Sequence, residues 1–205
     1  MAVSNMHDFE WDKKLNIHTI GRKDEHADAF HHPYEPTPYA VLDRLAKSGY
    51  IKRDSVVVDY GCGKGRVNFF LTHQIGCGGI GVEYDEETYN IAMENLKKNP
   101  RYKNISFHHG LAEKFEPDGA DCFFFFNPFT VEFLRMVMPR ILESYHADPR
   151  RMRLFFYYPD EDYMSYLLTH RELEYLEEID CRDIFGDWEN LREVIAVFKI
   201  MDIYE

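Results

Sequence analysis

None of the four cysteines, Cys62, Cys77, Cys122 and Cys181, stands in a C-x-x-C pair. Their spacing therefore indicates neither a zinc site nor a disulfide framework. Long hydrophobic runs are missing too. The apolar run Cys122–Phe126 falls far short of the roughly 20 residues that a membrane helix needs. No secretory apolar region opens the chain. The expectation is a reducing, cytoplasmic setting without membrane contact. Cations are scarce, with 24 Lys and Arg against 36 Asp and Glu and a formal net charge of −12. Broadly acidic surfaces repel phosphate backbones, so no strong non-specific nucleic-acid binding is expected. The acid excess is uneven: from Tyr157 to the end there are 4 Lys and Arg against 14 Asp and Glu. Arg150, Arg151 and Arg153 form a small basic cluster just upstream, which reads as solvated surface. Internal repeats and low-complexity linkers are also absent. At 205 residues the chain suits one domain with a substantial core.

What is present is aromatic and periodic. Aromatic residues make up 16%. The stretch Val56-Val57-Val58-Asp59-Tyr60-Gly61-Cys62-Gly63-Lys64-Gly65-Arg66 runs β-branched residues into an acid, then into three alternate glycines. Val67, Phe70 and Leu71 then share one helical face. This reads as strand, tight turn and helix. Such a turn lets a ligand approach bare backbone and unpaired N–H groups at the helix start. Several ligand classes use a turn of this kind. The dinucleotide fingerprint G-x-G-x-x-G is broken here, because the third glycine comes one residue early. The G-x-x-x-x-G-K-[ST] phosphate loop is absent.

The acid followed by x-G-x-G-x-G resembles motif I of the class I S-adenosylmethionine-dependent methyltransferases, in a bacterial-type branch. The order of the downstream elements is similar to that family over roughly residues 34–201. Ile80-Gly81-Val82-Glu83 reads as a second strand ending on an acid. Asp85 caps the following helix, which stops at Asn99-Pro100. Ile105–His109 is a third strand and Asp121–Phe126 a fourth, apolar enough to be covered on both faces. Met152–Tyr158, Leu176–Ile184 and Val194–Met201 complete the set, with Gly186, Asp187 and Trp188 in the loop before the last. Thr130–His146 is helical by pattern, and Pro139 inside it should kink or split it. Pro159-Asp160 opens another helix. The resemblance implies an α/β fold: a Rossmann-like seven-stranded sandwich, mostly parallel, with an antiparallel last strand.

Residue by residue, the resemblance implies the following site. Asp59 orders the turn and receives the methionine amine. Gly61, Cys62, Gly63 and Gly65 supply close backbone. Glu83, about 20 residues beyond the glycines, holds the ribose. Tyr84 lies beside the adenine. Leu111 stands where an adenine-contacting Asp is usual, so contact passes to backbone, to Ala112 or to Glu113. Asn127-Pro128-Phe129 occupies motif IV, with one Pro fewer than the adenine-amino enzymes. Asn127 would bind a target amine, and Phe129 would stack on a flat acceptor. Upstream, Tyr34-Glu35-Pro36-Thr37-Pro38-Tyr39 resembles a Thr-Pro element of adenine-amino and some lysine methyltransferases. Thr37 would cap the next helix, Pro38 would start it and Gly49 would end it. Tyr34 and Tyr39 would close as a lid.

Residues 1–33 lack a clear period and read as a lead-in segment ahead of a 34–205 domain, with Trp11 and Phe30 packing in part. His26, His31 and His32 lie near Asp24, Glu25 and Asp28, but without repeated spacing no metal is assigned. His108 and His109 point to opposite sides of a strand and cannot act as a pair; a buried, hydrogen-bonded His is expected. The implied activity is methyl transfer from S-adenosylmethionine to an open acceptor, whether protein, nucleobase or small molecule, with an amine preferred. The alternatives are a module that binds the cofactor without transfer, and a nicotinamide oxidoreductase.

Overall fold

The computed structural model describes residues 2–21 and 35–201, with side chains from residue 8 onward. Tyr34, Phe30 and the three histidines of the lead-in lie outside the described residues. Helices α1 (Ala2–Leu15) and α2 (Tyr39–Lys47) precede the alternating part. There β1 (Val56–Tyr60), α3 (Arg66–Ile75), β2 (Gly78–Glu83), α4 (Glu86–Lys97) and β3 (Ile105–His109) follow in turn. A 3-10 turn at Ala112–Lys114 leads to β4 (Cys122–Phe125), α5 (Val131–Ala147), β5 (Arg153–Tyr157) and α6 (Glu161–Thr169). The chain ends in β6 (Leu173–Asp180), α7 (Arg182–Phe185) and β7 (Val194–Ile200).

The strands make one seven-stranded sheet in the order β3-β2-β1-β4-β5-β7-β6. Every pair is parallel except those made by β7, which runs antiparallel to both β5 and β6. The order reverses between β1 and β4, and in open sheets of this kind ligands bind at such a switch, off the carboxyl ends of the strands. Alternate residues serve opposite faces. Val57 and Phe124 pack with α2 and α3, while Val58, Phe123 and Phe125 pack with α5 and α6. Many of the abundant aromatics are core. Tyr60 stacks on Phe125 with ring centroids 5.0 Å apart, and Phe125 stacks on Phe156 at 4.7 Å.

Several sequence expectations are corrected. The lead-in contains a helix, α1, whose Leu15 is fully buried and whose Trp11 meets Phe70 edge-on. Its inward face runs Asp8, Trp11, Asp12, Leu15, a helical spacing in which two core positions are carboxylates. Hydrophobic periodicity is blind to that face. Helix α2 starts one residue after the position expected, with Pro38 as its cap and no side-chain cap bond from Thr37. Pro139 does not split α5, which is continuous; the residue is exposed, so water can serve the carbonyl that loses its helical partner. Strand β6 runs earlier than expected, because the Asp180 carboxylate accepts from the Arg182 N–H at 3.0 Å and turns the chain into α7. The histidines of β3 are both exposed, since β3 is an edge strand. Arg150 is a clamp rather than a free cation: its guanidinium donates to the carbonyls of Ala120, Ser144 and Asp148. None of the described helices is long and apolar enough to cross a membrane.

Candidate active site

The first half of the site is built by β1, the glycine turn and β2. The amides of Gly61 and Cys62 both donate to the Val82 carbonyl, at 2.9 and 3.0 Å, which lashes the turn to β2. Gly61 has φ +73°, and a Cβ there would lie 2.5 Å from the Pro128 Cβ. Only glycine satisfies both the backbone angle and the contact. Gly65, at φ +87°, caps α3 against the Phe107 ring, which would stand 2.5 Å from an added Cβ. The Cys62 side chain is buried and aims at Gly81.

Two carboxylates meet at this turn. Glu83 is buried; one oxygen accepts from the Gly63 N–H and the other from the Asp85 N–H, each at 2.9 Å. A carboxylate offers about four lone-pair sites, so two remain for a ligand's hydroxyls. Asp59 is buried beside it, and its Oδ2 has no hydrogen-bond partner. Burial, and after it the Glu83 charge, holds the Asp59 carboxyl well above the usual carboxylate range. Burial raises Glu83 as well, against the lowering effect of its backbone donors. A cationic or hydroxyl-bearing ligand would relieve both groups. An orphaned buried carboxylate, a ribose-competent carboxylate and a glycine cradle fit S-adenosylmethionine, with its ammonium and its two sugar hydroxyls. Gly110 and Leu111 adjoin this edge, since the Gly110 N–H donates to the Glu83 carbonyl at 3.0 Å. Ala112 opens the 3-10 turn there, and Tyr84 is half-buried, its carbonyl accepting from His109 Nε2 at 3.0 Å.

Thr37 and Tyr39 stand behind the turn. The Tyr39 ring is 1% exposed, so it is core and not the expected lid. Its hydroxyl donates to Asp12 Oδ1 at 2.6 Å, and the Arg66 guanidinium lies over its ring, 4.3 Å from the centroid. Arg66, whose side chain is 2% exposed, is the hub. It donates to Asp8 Oδ2 at 2.6 Å, to Thr19 Oγ1 at 2.7 Å and to the Thr37 carbonyl at 3.1 Å. Sequence reading missed this socket. The signal was an arginine directly after the last glycine, with no partner nearby in the chain.

The second half lies off β4 and β5, where a cleft of about 550 Å³ opens. Asn127, Phe126, Tyr158 and Glu193 are among its walls. Asn127 (φ +37°) and Tyr158 (φ +54°) are non-glycine residues in left-handed backbone, a conformation that neighbouring structure must hold in place. Asn127 Nδ2 donates to the Tyr158 carbonyl at 2.7 Å. Arg192 holds Tyr158 from the other side, donating to the Tyr158 and Pro159 carbonyls at 3.1 Å each, with its guanidinium 4.2 Å from the ring centroid. Asn127 Oδ1 is buried with no partner. Phe129 does not face the cleft. It is 3% exposed, packed against Phe125 and Phe133, and its carbonyl accepts from the Tyr163 hydroxyl at 2.7 Å. The stacking role expected of it is corrected on that ground. Pro128 links the halves through its contact on Gly61.

Comparison with known proteins agrees with this geometry. A family model described as a methyltransferase domain matches residues 57–147. A protein-lysine N-methyltransferase of Saccharolobus islandicus is 34% identical over 70 residues, 34% of this chain and 44% of that protein. A histone-lysine N-methyltransferase of Dictyostelium discoideum, specific for H3 lysine-79, is 43% identical over 77 residues, 38% of this chain but 4% of that protein. The chain thus spans less than half the length of either curated relative. Among solved structures, an RNA methyltransferase from Salinibacter ruber in complex with S-adenosyl-L-homocysteine superposes with a TM-score of 0.56 at 17% identity, covering 81% of this chain and 92% of that one. At that identity the likeness is one of fold. The strand order, the acid–glycine turn with its carboxylate pair and the match agree: residues 57–147 match a methyltransferase domain, and the fold is that of the solved methyltransferase.

Proposed function

We propose that this chain catalyses methyl transfer from S-adenosylmethionine to an amine nitrogen held at the β4–β5 cleft. The bound cofactor supplies a methyl group made electrophilic by its sulfonium. The protein's task is then to bind, align and exclude water. Asp59 receives the ammonium, directly or through water, and Glu83 the ribose hydroxyls. Gly61, Cys62, Gly63 and Gly65 give backbone approach, and Tyr84, Leu111 and Ala112 border the adenine. Thr37 and Tyr39 act indirectly, by seating Arg66 at the start of α3. Asn127 and Pro128 sit where the two halves meet and position the acceptor.

The single observation that carries the transfer reading is the buried carboxylate pair at the glycine turn, with Asp59 Oδ2 unpartnered. The amine preference rests on Asn127. Its Oδ1 lacks a donor while its Nδ2 is engaged by Tyr158, and an N–H of the acceptor would supply one. The two curated relatives are lysine methyltransferases, which favours a lysine among amines. One observation favours a second reading, a binding module without transfer. The Phe129 ring lies in the core, so motif IV lacks its stacking platform. Calorimetry with S-adenosylhomocysteine, followed by transfer of label from tritiated S-adenosylmethionine to defined acceptors, separates the two. Binding with labelled product supports transfer, and binding without product supports the module. Stabilisation by NAD in place of S-adenosylhomocysteine would overturn both.

A further inference from the structure

The cleft off β4 and β5 has an asymmetric chemistry. Phe126, Tyr158 and Phe185 give it aromatic walls, and Glu35, Asp160 and Glu193 give it acidic ones. Among the described residues its one cation, Arg192, is already engaged with the Tyr158 ring and with two carbonyls. Glu193 accepts from the Tyr157 hydroxyl at 2.8 Å, and burial raises its carboxyl above the usual range. A cationic partner would favour its ionised form. Aromatic faces attract a cation by their quadrupole and pack against its alkyl stem. A neutral nucleobase would gain neither, and its phosphates would meet the carboxylates.

Beside the cleft, the segment from α7 to β7 exposes three large apolar side chains. Phe185, Trp188 and Leu191 are 37%, 61% and 72% exposed. Phe185 belongs both to this rim and to the cleft wall, so the two surfaces are continuous. The exposed carboxylates Asp187 and Glu189 are interleaved with them. Apolar groups among acids on a rim, next to a pocket for a cation, match a polypeptide carrying both apolar and basic side chains.

We infer that this continuous surface is a docking site for a basic polypeptide segment. One lysine enters the cleft, with its stem between Phe126 and Tyr158 and its nitrogen near Asn127 and Glu193. Apolar residues beside that lysine rest on Trp188 and Leu191. The inference rests on the transfer reading given above. In the step it implies, the bound lysine ammonium first loses a proton, and the freed lone pair then forms the bond to the methyl carbon. The carbon–sulfur bonding pair stays with sulfur, and the proton leaving nitrogen passes to water.

Trp188 supplies a readout that needs no turnover. With the full chain saturated in S-adenosylhomocysteine, tryptophan emission is followed during titration with a synthetic peptide. The peptide holds one lysine between leucines, within an arginine-containing sequence. A second peptide carries norleucine in place of that lysine. Single-stranded RNA is the third probe. The expected result is a blue shift with the lysine peptide and binding about tenfold weaker for norleucine, the usual worth of one charge-assisted hydrogen bond. Glu193→Gln, which can still accept from Tyr157, should erase that difference. Leu191→Ser, on an exposed position that carries no fold risk, should weaken both peptides alike and leave S-adenosylhomocysteine affinity unchanged. Equal affinity for the two peptides, or a blue shift with RNA and none with peptide, would overturn the inference. A chain that binds the lysine peptide selectively but not S-adenosylhomocysteine would instead sink the transfer reading and leave the cation pocket standing.

Discussion

The two halves of the site are held together by different means. At the glycine turn, the key contacts join residues close in sequence: Gly63 to Glu83 is 20 residues, and the amides of Gly61 and Cys62 reach Val82. The holding groups are backbone amides, which any sequence with the right turn would offer. At the cleft, Asn127 and Tyr158 adopt left-handed backbone, which an Asn tolerates and a Tyr does not favour. They are held by Arg192 and by each other, across separations of 31 to 34 residues. The first half is a property of a turn. The second is a property of an assembled sheet, because β7 must pair with β5 before Arg192 and Glu193 arrive.

Breaking the socket under the first half should have the largest effect. Arg66→Met leaves Asp8 and Asp12 without their buried cation, which costs about 3–5 kcal/mol when one partner of a buried pair is removed. Chemical denaturation should show that loss. A loss under about 1 kcal/mol would mean that water replaces the guanidinium. Next comes Glu83→Ala, which should weaken S-adenosylhomocysteine by about ten- to a hundredfold without moving the peptide-induced Trp188 shift. Unchanged affinity by calorimetry removes Glu83 from the site. Arg192→Met tests the other half. It should lower kcat/KM for the acceptor about two- to fivefold, the worth of an exposed cation–π contact, and spare cofactor affinity. A larger effect on cofactor than on acceptor would dissolve the division between the halves.

The smallest expected effect is a proton. Asp59 and Glu83 are both raised by burial. Above the ordinary carboxylate range the folded, unliganded chain therefore holds more protons than the unfolded chain. Its stability should fall as pH rises through that window, until the raised groups ionise. A bound ammonium favours the ionised Asp59, so cofactor binding should release protons and tighten with rising pH. Calorimetry in two buffers of different ionisation enthalpy reads this directly. The heats should differ for the wild type and converge for Asp59→Asn; identical wild-type heats would rule out proton release.

Legibility in the sequence followed the same division. The acid, the three glycines and Glu83 were readable because strand, turn, helix and strand follow one another directly from Val56 to Glu83, and each element has its own period. The Asp85 and Asp160 caps were readable for the same reason, and both accept from the N–H three residues on. Phe129 misled because a ring after Asn-Pro carries no mark of the side it faces; its burial is set by α6, whose Tyr163 grips its carbonyl. Tyr39 misled likewise, since the group that buries it, Asp12, belongs to a helix whose inward face is part carboxylate.

By itself, then, the order of residues determined the run of strands and helices, the glycine turn and the acid across from it. Those depend on hydrogen bonds between near neighbours and on the periods of helix and strand. Tertiary structure alone decided that an N-terminal helix would seat Arg66, that Pro128 would lie on Gly61, and that the last strand would bring Arg192 and Glu193 to the cleft. Each of those rests on contacts between distant segments, which form only once the sheet has fixed where its edges meet.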